Sequence, residues 1–215
     1  MLLSDLQRLL SSLYDVPTEH DVRDFVVTDR ASVACLGGAR SDEQLFVAQT
    51  GEELGLSLFL DAAVLERLAA ADPMRKLDQS NLADYLTAIE GVSHFVYLAW
   101  NAGFDKPVSL LELELQAEID KFVASAWLLT RQESGRFPSE LHHVLFKRTR
   151  VATDLTGDRA PMYRAAARYA SRYCQQVAQR FGTEALVGET GIWSELRRFY
   201  RLGVMRKLAH IERCA

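Results

Sequence analysis

Cysteine is scarce in this 215-residue chain: Cys35, Cys174 and Cys214 stand far apart, with no Cys-x-x-Cys pair and no histidines at zinc-ligand spacing. That argues against a disulfide framework and a structural zinc site, and for a reducing, cytoplasmic setting. Long apolar runs are missing as well. The longest windows, around residues 92–100 and 123–129, fall far short of the ~20 residues that span a bilayer, so no membrane partner is expected. The opening MLLSDLQRLLSSLYDV lacks a basic leader and a small-residue cleavage site and carries Asp5 and Arg8 among its leucines. It reads as an amphipathic helix docked on the core, not as a signal peptide. No phosphate-loop lysine follows Gly37 and Gly38, which therefore read as turn residues of a structural platform. No Gly-x-Ser-x-Gly elbow, zinc finger or RNA-recognition signature occurs, and no repeat or low-complexity segment.

What is present is enough apolar residue, 48% of the chain, to bury a substantial core. Leu2, Leu3, Leu6, Leu9, Leu10 and Leu13 recur at helical spacing. Between residues 22 and 61 the period changes to that of strands. ELGLSLFLD puts Leu54, Leu56, Leu58 and Leu60 on one face, and QLFVAQ precedes it across TGEE as the other arm of a hairpin. DFVVTD and SVACL read as further strands, giving a small antiparallel sheet. Beyond Asp61 the pattern is helical throughout. Ser80 and Asn81 are cap candidates for a helix running to about Asn101, and one or two final helices occupy residues 192–213, with Gly203 as the candidate point of division. The expected fold is mainly α with a small N-terminal antiparallel sheet and a bundle-like helical core. Residues 1–62 form the helix-and-sheet part and residues 63–215 the helical region, together as one compact unit.

The stretch SLLELELQAEIDKF, at 109–122, alternates like a strand and then continues like a helix. Pro107 breaks the chain before it, Ser109 stands at the N-cap and Glu112 three residues on, so SLLE is a capping box with Val108 and Leu113 as its hydrophobic staple. The remaining carboxylates, Glu114, Glu118 and Asp120, are expected to face water or a basic partner, and the helix to run to about Gln132.

Metal and acid–base readings are weak. Two Glu-x-x-His motifs on facing helices would hold a pair of metal ions, but only Glu140 and His143 supply one, while Glu90 and His94 are four apart. Those four residues are a minor alternative to the expectation of no metal and no cofactor.

Charge is the feature that departs from the ordinary. Residues 1–135 carry 10 Lys and Arg against 22 Asp and Glu, whereas residues 136–215 carry 15 against 7. Such asymmetry hints at an anionic partner. It is sharpest in RAPMYRAAARYASRYCQQVAQRF, residues 159–181, which holds five arginines and no acid. Asp158 is its candidate cap, Pro161 suits its first turn and Gly182 its stop. On a helical wheel Met162, Ala166, Tyr169, Tyr173 and Val177 face the core, and Arg164, Arg168, Arg172, Gln175 and Gln179 lie opposite. Arg197, Arg198 and Arg201, with Arg206 and Lys207, form a second basic cluster, and Lys147, Arg148 and Arg150 add to it. The resulting expectation is a non-enzymatic interaction or regulatory protein, binding a protein partner or a second copy of itself through Arg164, Arg168, Arg172, Arg197, Arg198 and Arg201. Nucleic-acid binding by the same arginines comes second, and a helical metal-dependent enzyme third.

Overall fold

A computed structural model describes residues 1–17, 19–35, 41–51, 53–133, 135–148, 159–181 and 191–213. The expected fold class holds: the chain is mainly helical, with a small three-stranded sheet. It divides into two compact units, residues 1–12 with 16–107, and residues 13–15 with 108–215. The helical region expected from residue 63 is therefore shared between them.

In the first unit, helix α1 (Leu2–Tyr14) buries Leu3, Leu6, Leu9 and Leu10, as its spacing requires. Its buried Gln7 donates to the His20 carbonyl at 2.6 Å and accepts from the Val22 amide at 2.8 Å, fixing the chain that enters the sheet. The sheet comprises β1 (Val26–Val27), β2 (Glu43–Thr50) and β3 (Glu53–Leu60), in the order β1-β3-β2. β2 and β3 form the expected hairpin, with Gly51 at φ 64° in the turn. β1, however, runs parallel to β3, so the sheet is mixed and not purely antiparallel.

Two local expectations fail. The described part of SVACL, residues 32–35, is not a strand: Asp29 caps the amides of Ala31 (3.1 Å) and Ser32 (3.2 Å) and starts helix α2 (Arg30–Ala34). The N-cap bond outweighs the strand propensity of one valine. Nor does β3 have one dry and one wet face. Leu58, Phe59 and Leu60 are all buried, while Leu54 is exposed. One end of the strand is covered on both sides and the hairpin tip projects into water.

Asp61 caps helix α3 (Ala62–Ala70) through the Ala63 amide at 2.8 Å and is held in turn by Arg30. Helix α4 (Leu82–Ala102) packs across β2 and β3. Asn81 precedes it without capping it. Its side chain instead accepts from the Asp78 amide and donates to the Ala71 and Lys76 carbonyls, knitting the loop.

In the second unit, helix α5 (Leu110–Gln132) starts where Ser109 accepts from the Glu112 amide at 3.2 Å, and it ends at the expected residue. It packs against α7 (Ala160–Phe181). Between them in the chain lie α6 (Leu141–His143) and a π-helical turn, Val144–Arg148. Helices α8 (Gly191–Tyr200) and α9 (Val204–Arg213) part beside Gly203 as expected. The capping of α7 by Asp158, its stop at Gly182, the turn role of Gly37 and Gly38, and Cys214 all lie outside the described residues.

Candidate functional site

The arginine face forms as its spacing demands. Ala166, Ala170, Tyr173, Cys174 and Val177 bury one side of α7, and Arg164, Arg168, Arg172, Gln175 and Gln179 are exposed on the other. Among the described residues no carboxylate pairs with Arg164, Arg168 or Arg172. Arg168 lies 5.4 Å from the ring centroid of its neighbour Tyr169, whose hydroxyl donates to Glu212 at 3.2 Å. Tyr173 is core, stacked on Phe199 with centroids 4.0 Å apart.

The second basic cluster is put to different uses. Arg201 donates to the carbonyls of Tyr14 (3.0 Å), Asp15 (2.8 Å) and Arg197 (2.9 Å), and Arg197 donates to the carbonyl of Leu13 at 3.4 Å. Residues 13–15 are the C-terminal end of α1, closed by Asp15 at φ 54°. Within the second unit these two guanidinium groups therefore satisfy the carbonyls of residues 13–15, which at a helix end lack intrahelical partners and carry partial negative charge. Arg198 pairs with Glu195 at 2.7 Å, and the same carboxylate meets His210 Nε2 at 2.7 Å. Arg206 is exposed. The side chains of Lys147 and Arg148, and Arg150 as a whole, lie outside the described residues.

Lys207 is not a surface charge at all. It is fully buried, donates to Gln116 Oε1 at 2.5 Å, and lies 5.3 Å and 5.8 Å from the ring centroids of Phe199 and Tyr200. Gln116 in turn donates to Asp120 Oδ1 at 2.6 Å, which also accepts from the Tyr14 hydroxyl at 2.6 Å. Burial, with the Asp120 charge second, pushes the Tyr14 hydroxyl well above its ordinary ionisation range. Burial does the same to Cys174, with Glu118 and Asp120 adding to it. Glu112 accepts from the Val204 amide at 3.2 Å. Three carboxylates expected at the surface or serving only a cap, Glu112, Glu114 and Asp120, are thus buried. A burial cost of several kcal/mol per ion makes such groups dependent on their hydrogen bonds. The available signal was Lys207 itself, spaced with Val204, Leu208 and Ile211 on the apolar side of α9.

The weak metal candidates separate. Glu140 and His143 are both exposed, and among the described residues no third ligand gathers with them. The histidine that turns inward there is His142, which donates from Nε2 to the Ser171 carbonyl at 2.9 Å. Glu90 and His94 share a face of α4, and a residue sequence reasoning missed joins them: Glu43 of β2, with Oε1 3.3 Å from His94 Nδ1. Comparison with known families, curated proteins and solved structures returns no match for this chain.

Proposed function

We propose that this chain is a non-enzymatic interaction protein that recognises an acidic protein surface through Arg164, Arg168 and Arg172, within a reducing intracellular compartment. The observation that carries the reading is the state of these three side chains: exposed, four residues apart, and without a carboxylate partner among the described residues. Guanidinium groups at that spacing repel one another by a few tenths of a kcal/mol per pair, and an external anion relieves the repulsion. Bidentate pairing suits carboxylates and phosphates alike. Carboxylates are preferred because the whole chain carries a net charge of −4, which opposes close approach to a polyanionic duplex. Free Cys35 and Cys174 suit the compartment.

Salt response separates the two ligands. The wild-type chain is expected to bind polyglutamate and to lose most of that affinity when Arg164, Arg168 and Arg172 are changed together to Ala. Mixed-sequence duplex DNA or RNA should bind negligibly near physiological salt. Micromolar duplex binding with log K falling by about 0.9 per phosphate for each unit of log salt, abolished in the triple variant, replaces this reading with a nucleic-acid-binding one. Concentration-dependent sedimentation abolished by the same substitutions identifies the acidic partner as a second copy of the chain.

A further inference from the structure

From the first unit we infer a binding site for a divalent transition-metal ion, formed by Glu90 and His94 of α4 and backed by Glu43 of β2. Residues four apart on a helix share a face, and the ligand atoms of Glu90 and His94 lie within 4.8 Å of one another. Both come from the interior of a long helix, and the side chains of His94 and Glu43 are only 6% and 11% exposed. A site built on such elements is held in shape before any ion arrives.

Gly91 explains how the strand carboxylate gets there. A Cβ at that position would stand 2.9 Å from Glu43 Cγ, 2.9 Å from Leu58 Cδ1 and 3.3 Å from Glu43 Oε1. Glycine inside a helix is destabilising relative to alanine. Here it lies between the two candidate ligands, at the point where Glu43 is threaded against the helix.

The donor chemistry fits a metal better than a bare ion pair. A carboxylate on Nδ1 fixes the tautomer in which Nε2 is the donor atom, and raises its basicity; this is the usual second partner of a metal-bound histidine. A mixed nitrogen and oxygen set selects manganese, iron(II), cobalt or zinc over calcium and magnesium, which take oxygen alone, and over copper(I), which seeks sulfur.

The test uses the full chain, stripped with chelator and titrated with Co²⁺ in visible absorption, then with Mn²⁺ and Zn²⁺ by elemental analysis after desalting. About one ion per chain is expected. Glu90→Gln and His94→Gln should each lose it, Glu43→Gln should weaken binding by about 10- to 100-fold, and Glu140→Gln should retain it. Retention by a folded His94→Gln variant overturns the assignment. Where that variant does not fold, the wild-type melting temperature decides: a bound ion must raise it, and no shift at millimolar Co²⁺, Mn²⁺ or Zn²⁺ overturns the site outright.

Discussion

Helices α5 and α7 carry polar stripes of the same spacing and opposite fate. Glu112, Gln116 and Asp120 recur every fourth residue on α5, and Arg164, Arg168 and Arg172 do so on α7. The first stripe is buried and consumed by Val204, Lys207 and Tyr14; the second is exposed with no acidic partner among the described residues. Periodicity tells which residues share a face. It does not tell which face is covered, because that depends on what distant segments bring. For α5 the decisive arrival is α9, which presents an ammonium and an unsatisfied backbone amide. The two stripes therefore predict opposite costs of substitution, and that contrast can be broken by experiment.

The largest effect belongs to Lys207. Truncation to Ala removes the donor to Gln116, opens a cavity beside Phe199 and Tyr200, and leaves a buried acceptor without its partner. Each consequence is destabilising, and together they should cost about 3 kcal/mol. Urea denaturation read by tryptophan fluorescence checks this. A loss no larger than that of an exposed substitution would mean that the buried network contributes nothing net.

Tyr14 tests the other end of the same chain of bonds. Tyr14→Phe should cost about 1 kcal/mol at neutral pH by taking a donor from Asp120. It should also change the alkaline limb. Tyr14 and Tyr173 have folded-state ionisations pushed well above 10, and Cys174 well above 9, in each case by burial first. The native chain thus holds protons that the unfolded chain releases. Their contribution is full below the unfolded values and is lost as pH rises above about 9 to 10. Melting temperatures measured across that range should fall less steeply in Tyr14→Phe than in the wild type.

Much of the fold was legible because its causes are local. Leu6 and Leu10 mark the buried side of α1 by spacing alone, Ser109 announces α5, and Gly203 divides α8 from α9. The helix at Arg30–Ala34 departs from the strand expected of SVACL although its cause, the Asp29 cap, is also local. The parallel pairing of β1 with β3 and the chemistry of both sites are of another kind. Gln116 meets Lys207 across 91 residues, Tyr14 meets Asp120 across 106, and Glu43 meets His94 across 51. No spacing rule reaches that far. A lysine on an apolar helix face and a glycine inside α4 were the traces these contacts left in the sequence.

The smallest effect is expected from the exposed stripe, and it carries the contrast. Changing Arg164, Arg168 and Arg172 together to Ala removes no described ion pair, and the one ring contact it removes is that of Arg168 with Tyr169. It relieves two like-charge neighbours four residues apart, worth a few tenths of a kcal/mol each, and places the best helix former at all three positions. Stability should therefore stay within about 0.5 kcal/mol of the wild type or rise slightly, as for surface substitutions generally. Added salt should narrow even that difference by screening the repulsion. A triple variant that melts far earlier would show that the arginines are held by acids of this same chain. The two stripes would then be equally consumed, the face on α7 would no longer be available to a partner, and the search for one would move to α1.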